Sequence, residues 1–335
     1  MPNRSLTLVI LLATGCLSEV PRVDAGIVAM SDAGPSTSDA GRVDSGVVDA
    51  GSPVVDAGPI DSGCAPHSGI GAPFSLRAVA ANLTSGNAQS YDPGEGQRIL
   101  QGIHPDIVMI QEFKVGTNTD AGIAGFASSL SGDDAGMHVW RGTVGNLPNG
   151  VISRWPIIEA GDWVDPQVDN RGFTWAHVDL PGPRELWVVS VHFLTSNATE
   201  RRQEATALIA QLQVKVPNDD FLLIGGDFNT DNRGEGALTT LSARVMTNTA
   251  HPVDQGNDGD TSASRSKPYD WVLGSSCLVA NQVPVQVGSN QFTGGLVVDT
   301  RIYTPITDLA PALQSDSAAT NMQHMAVVKD FVIAP

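Results

Sequence analysis

Residues 221–230 read FLLIGGDFNT: four apolar residues, two glycines, then an acid, an aromatic and an amide. An apolar run of this length bounded by glycine reads as a buried strand, which needs cover on both faces. Asp227 and Asn229 stand one residue apart at its end. In an extended segment such residues point to the same side, so both polar tips are expected to address one site.

Seven further segments share this buried-strand character: 74–83, 106–113, 150–157, 173–180, 185–194, 269–275 and 324–333. Helical periodicity is clear in two places. Residues 95–103 put Ile99, Leu100 and Ile103 on one stripe before Pro105. In NATERRQEATALIAQLQ (197–213), Asn197 and Glu200 make a capping-box-like start, and Ala205, Leu208, Ile209 and Leu212 follow at helical spacing. About eight strands with few helices, some in hairpin-like succession, favour packed sheets with helices outside over a parallel doubly wound sheet.

The N-terminal part is different. MPNRSLTLVILLATGC combines Arg4, an apolar run from Leu6 to Leu12 and small residues before Cys16, the pattern of a secretory signal. The run is too short to span a bilayer as a mature helix. The small-residue box ending at Cys16 resembles the lipobox of bacterial lipoproteins, which implies cleavage before Cys16, removal of residues 1–15 and a lipid on Cys16. The other reading is an ordinary signal peptide. Residues 16–63 then repeat Asp-Ala-Gly and Asp-Ser-Gly at irregular spacing, with too few apolar residues for a core. They are expected to form a flexible acidic tether, since a calcium-binding β-roll would need a strict nonapeptide period. Residues 64–335 form the expected folded domain, and the lipid anchor would place it at the cell envelope, on an outer membrane or the cell surface. Cys64 and Cys277 can pair in an oxidising compartment or remain two free thiols.

The net charge is −17. Such a chain lacks the clustered Lys and Arg on which tight non-specific DNA binding depends. Any nuclease reading therefore rests on local chemistry.

Several apolar runs end on polar residues that a strand does not need. Asn82 closes one, Glu112 follows IVMI, and His192 lies in VVSVHFL on the side of Ser190, opposite Val189 and Val191. Each alone has an ordinary explanation: a turn residue, a strand reaching water, a hydrogen-bonded core histidine. Their order, Asn82, Glu112, SRWPI at 153–157, His192, GDFN with Asp227 and Asn229, Asp270 in YDWVL, then His324 before MAVV, resembles the endonuclease/exonuclease/phosphatase superfamily, the DNase I-like group, over residues 74–333.

That resemblance implies an α+β fold, a four-layer sandwich of two packed, mainly antiparallel sheets flanked by helices. It implies phosphoester hydrolysis with Mg2+ or Mn2+, suited to hard oxygen ligands. Glu112 would be the main metal ligand, assisted by Asn82. Asp227 would orient or deprotonate the attacking water, and Asn229 and His192 would stabilise the transition state. Asp270 would orient His324 to act as base. Arg154 and Arg171 would support the site by bonding acids or backbone. One position departs from the pattern: Gln323 stands where the family has an aspartate at the metal, with Asp316 as a nearby stand-in and impaired catalysis as the sharper consequence. A phosphoester is the expected partner, with nucleic acid, phospholipid headgroups and small phosphates as candidates.

Overall fold

The computed structural model describes residues 72–132, 136–182 and 184–334. The expected signal segment, Cys16, the acidic tether and Cys64 lie outside the described residues. The chain divides into the units Met1–Asp56 and Ala57–Pro335, and every described residue belongs to the second.

In chain order the strands are β1 (Phe74–Ala81), β2 (Ile107–Ile110), β3 (His138–Arg141), β4 (Gly150–Ser153), β5 (Ile157–Val164), β6 (Gly172–Val178) and β7 (Leu186–His192). They continue with β8 (Phe221–Asp227), β9 (Asp270–Gly274), β10 (Gln282–Val283), β11 (Val285–Val287), β12 (Asn290–Phe292), β13 (Leu296–Val298) and β14 (Ala326–Ile333). The helices are α1 (Glu95–Ile103), α2 (Asp120–Ser128), α3 (Ala198–Lys215), α4 (Gly236–Leu241) and α5 (Ser276–Val279).

Of the two large sheets, one has the order β10-β14-β1-β2-β4-β3, with β13 also paired to β14, and the other runs β5-β6-β7-β8-β9; β11 and β12 pair as a small separate sheet. Each is antiparallel except for one parallel pair, β1 with β2 and β7 with β8. A parallel pair needs a crossover, and α1 and α3 supply the two. The apolar pattern explains the layering. Leu76, Ala78, Ala80, Ile107 and Met109 of the first sheet pack with Ala176, Val178, Val188 and Leu223 of the second. The alternate residues Val79, Ala81, Val108 and Ile110 meet Ile99, Leu100 and Ile103 of α1 on the outer side. Val189, Val191 and Ile224 meet Leu208, Ile209 and Leu212 of α3 on the other outer side. The order is therefore helix, sheet, sheet, helix, as expected.

Both expected helices are present, and Asn197 Oδ1 caps α3 by accepting from the Thr199 and Glu200 amides. All eight expected strand segments contain strands. The apolar-run criterion passes over β3, β5 and β10–β13. β5 is a sheet edge of sequence IIEAGDWV, in which Glu, Gly and Asp break the apolar run. Cys277, in α5, is disulfide-bonded, and its partner lies outside the described residues.

Candidate active site

The two parallel pairs end at the same rim, because α1 and α3 return the chain to start both strands of each pair from the opposite side. Asn82 follows β1, Glu112 comes two residues after β2, and His192 and Asp227 are the last residues of β7 and β8. In the register of the second sheet His192 lies beside Asp227, and Asp227 beside Asp270 at the start of β9. Three functional side chains thus stand in one transverse row. His324, two residues before β14, joins from the first sheet and is fixed by an isolated bridge to Ser262.

Asp227 Oδ2 is the hub. It accepts from Asn82 Nδ2 at 3.1 Å, and the Nε2 atoms of His192 and His324 lie 3.3 and 3.4 Å from it. His324 Nδ1 is 2.9 Å from Asp270 Oδ2. Asn82 Nδ2 also reaches Glu112 Oε1 at 3.3 Å. Glu112 accepts at its other oxygen from Thr84 Oγ1, 2.8 Å, and at Oε1 from Gln89 Nε2, 2.9 Å. Ser190 and His192 do face the inside, since Ser190 Oγ accepts from Gln111 Nε2 across the sheets.

Burial governs the electrostatics. It raises the Asp227 carboxyl to about 6, with Asp270 adding to the effect while His324 opposes it. It likewise raises Glu112. His192 is held well below the usual histidine range, first by burial and then by the Arg171 and His324 charges. For His324 burial works the same way, but the Asp270, Asp227 and Glu112 carboxylates outweigh it and raise the imidazolium to about 10. One histidine is therefore neutral and its neighbour is a cation at neutral pH.

Two site residues adopt left-handed backbone, Glu112 at φ 52° and Asn229 at φ 51°. Non-glycine residues in that region cost on the order of 1–3 kcal/mol and persist where the surroundings hold them. This corrects the extended geometry expected at FLLIGGDFNT. The strand ends at Asp227, and the Asn229 amide folds back to donate to Asp227 Oδ1 at 2.9 Å. Asn229 Nδ2 donates to the Phe193 carbonyl at 2.9 Å. The two side chains reach the same rim through a turn instead of strand alternation.

Arg171 and Arg154 part company. Arg171 is buried and donates to the carbonyls of His192 and Phe193. Arg154 is exposed and pairs with Asp106, which precedes β2 at the end opposite Glu112. Gln323 stands outside the buried cluster. Its side chain is exposed and lines an open cleft of about 250 Å³ with Thr84, Asn87, Gln89 and Asn321. Asp316 does not stand in for it, being buried against Arg98. Thr84 and Gln89, which hold Glu112, escape a search for strand-end residues. Their one sequence signal is their closeness to Asn82 in a polar loop.

The residues suit a hard divalent cation. Asn82 Oδ1 is buried with no hydrogen-bond partner, as is Asp270 Oδ1. An orphaned buried oxygen is costly unless something positive meets it. Ligand atoms of Asp227, Asp270 and His324 lie within 4.8 Å of one another. Beside the histidine nitrogens, the carboxylates of Glu112, Asp227 and Asp270 and the Asn82 amide oxygen supply the hard oxygen donors preferred by Mg2+ and Mn2+.

Comparison with known proteins identifies the family and the fold. The model of the Endonuclease/Exonuclease/phosphatase family matches residues 68–301. An endonuclease/exonuclease/phosphatase from Beutenbergia cavernae superposes with a TM-score of 0.51 at 16% identity, covering 78% of this chain and 72% of that one. A family protein from Leptotrichia buccalis gives 0.52 at 13% identity over 77% of this chain and 100% of its own. A structure from Bacteroides vulgatus gives 0.52 at 16%, over 78% and 100%. At such identities the likeness shows the shared fold. No curated protein matches the chain. The chain belongs to the endonuclease/exonuclease/phosphatase family, whose members are phosphoester hydrolases.

Proposed function

We propose that this member of the endonuclease/exonuclease/phosphatase family is a divalent-metal-dependent phosphodiesterase acting at the cluster around Asp227. The observation that carries the reading is the convergence of Asn82, His192 and His324 on Asp227 Oδ2, with Glu112 beside them on the opposite sheet.

In this reading Glu112 and Asn82 Oδ1 hold the cation, which when bound supplies positive charge for the phosphoryl oxygens. Asp227, ionised above about pH 6, orients the attacking water and takes its proton. His192, neutral, donates Nε2–H toward Asp227 and keeps that carboxylate in place. Asp227 at 3.3 Å from Nε2 favours the tautomer with the proton there, and Nδ1 has no partner that would compete for it. His324 already carries its proton, held by Asp270 at 2.9 Å, so it serves as a charged donor to a phosphate oxygen. This reading gives His324 a donor's role in place of the base that the family resemblance implies. Asn229, with its amide nitrogen committed to Phe193, is free to orient its carbonyl oxygen toward the water or a protonated oxygen of the substrate.

Gln323 bears on whether the fold is catalytically silent. It is exposed on the cleft wall, so the buried cluster is complete without it, and this favours retained activity over a binding-only role. The two cations of the loop 258–270 are already engaged: Arg265 by Asp254 and Asp299, Lys267 by Asp231. That favours a short or small phosphodiester over a long duplex. The leader-like N-terminus supports a lipid-anchored protein of the cell envelope, with Cys16 as the lipidated residue.

The test is hydrolysis of bis(p-nitrophenyl) phosphate by the full-length protein with Mg2+ or Mn2+, beside Asp227→Asn. The expected result is turnover in the parent and a loss of at least about 100-fold in the variant. Equal rates in the two folded proteins would remove Asp227 from the reaction.

A further inference from the structure

The chain leaving β7 is held in an unusual way. After His192 the backbone belongs to no strand, yet side chains serve its polar groups one after another. Arg171 Nε donates to the His192 carbonyl at 2.5 Å and Nη2 to the Phe193 carbonyl at 3.0 Å. Phe193 O also accepts from Asn229 Nδ2 at 2.9 Å. The Leu194 amide donates to both oxygens of Glu204, at 3.0 and 2.9 Å. Arg201 Nη1 then serves the Leu194 and Thr195 carbonyls, each at 3.2 Å.

These are expensive residues for the purpose. Glu204 and Arg201 are fully buried and Arg171 nearly so. Burying a cation costs several kcal/mol unless it is well paired, and a buried carboxyl, even protonated, costs free energy unless it is hydrogen-bonded. Arg201 is paired, by Glu235 and Asp231. Arg171 and Glu204 spend their hydrogen bonds largely on backbone. A loop that only had to connect β7 to α3 could leave its carbonyls in water. What this loop has beside it is His192 at one end and Asn229 across it, two of the groups drawn around the reacting phosphate.

We propose that Arg171 and Glu204 are positioning residues of the phosphoester reaction, gripping residues 192–194 by their backbone so that His192 and Asn229 keep a fixed place against Asp227. The inference rests on the phosphodiesterase reading for its kinetic part only. Arg171 acts through two bonds from one planar guanidinium, a geometry that lysine cannot reproduce. Glu204 acts as an acceptor for the Leu194 amide, and burial, with the Asp165 carboxylate adding to it, raises its carboxyl to about 9. A glutamine offers the same acceptor and donor in the same shape.

The experiment compares Arg171→Lys, Glu204→Ala and Glu204→Gln with the parent. It uses kcat and KM on bis(p-nitrophenyl) phosphate and the NMR imidazole signals of His192 in the full-length protein, assigned with His192→Gln. Displacing a reacting group by about 1 Å costs on the order of 100-fold in rate. Arg171→Lys and Glu204→Ala should therefore lower kcat between about 10- and 100-fold, with KM within about twofold of the parent. They should also shift or broaden the His192 signals, while Glu204→Gln should restore most of what Glu204→Ala removes. A merely structural role would lower the melting temperature and leave kcat and the His192 signals unchanged in the folded variants, and that result would overturn the proposal. Should Glu204→Ala fail to fold, Arg171→Lys decides alone by the same readouts. A parent without hydrolytic activity would count against the phosphodiesterase reading, and the His192 signals would still decide whether the grip exists.

Discussion

Lys329, in β14, is 2% exposed, and its ammonium donates to Thr249 Oγ1 at 3.1 Å. Burial lowers its pKa from 10.5 to about 8, so at neutral pH the fold carries a buried charge. The folded state releases the proton more readily than the unfolded one, so stability rises with pH between about 8 and 10.5 and the penalty is complete below that window. Lys329→Met, of similar length and no charge, should stabilise the protein at pH 7 by about 1–3 kcal/mol. The gain should shrink toward pH 10.5 in urea titrations at several pH values; a loss of stability at pH 7 would mean that the ammonium is better satisfied than its neighbours indicate. Single residues also mark how far a sequence can be read. Asp227, His192 and Glu112 are legible because each interrupts an apolar run that gains nothing from a polar end. Gln89 is not: it reaches Glu112 through a left-handed backbone, φ 57°, within a loop whose path no periodicity reveals. Gln323, placed at the metal by the motif, has its side chain exposed on the wall of the cleft that Thr84 and Gln89 also line.

Among the elements, β8 carries the strictest requirements. Gly226 has φ 128°, and a Cβ there would lie 2.2 Å from the Val191 carbonyl oxygen and 2.4 Å from Gln111 Nε2. The second glycine of FLLIGGDFNT is what lets β7, β8 and Gln111 of the first sheet meet behind Asp227. Gly226→Ala should cost about 3 kcal/mol or more, combining backbone strain with a clash that backbone atoms cannot relieve. Chemical denaturation would show it, and a change under about 1 kcal/mol would mean that the strand shifts more easily than this packing implies. The same physics explains which elements could be read from sequence. Strands covered on both faces, such as β7 and β8, are continuous apolar runs. Edge strands such as β3 and β5 alternate irregularly with polar residues, and the short β10–β13 are defined by their partners, not by their own composition.

At the scale of the whole molecule, two parallel pairs in two sheets bring six distant segments to one rim, and this convergence is what turns scattered polar residues into a site. The order of motifs made it legible once a family resemblance was available; apolar patterning alone yields the layers but not which ends meet. The surface bears on substrate. With a net charge of −17 and the loop cations already paired, binding to duplex DNA should be weak and only shallowly dependent on salt. Cationic nucleases that neutralise several phosphates lose on the order of 10³–10⁵ in affinity between 50 and 200 mM salt. Fluorescence anisotropy with a labelled duplex and a catalytically silenced Asp227→Asn protein would measure this. A steep salt dependence would reveal a cationic track that the described residues do not offer.

A divalent cation held at Glu112 and Asn82 should support phosphodiester hydrolysis at the Asp227 cluster. The most direct measurement is a Mg2+ titration of the EDTA-stripped full-length protein, following bis(p-nitrophenyl) phosphate hydrolysis in the parent and in Glu112→Gln. The expected result is no turnover without metal, saturable restoration by Mg2+, and at least about a tenfold higher Mg2+ requirement in the variant. Hydrolysis that persists in EDTA, or a Mg2+ dependence identical in the two proteins, would contradict it.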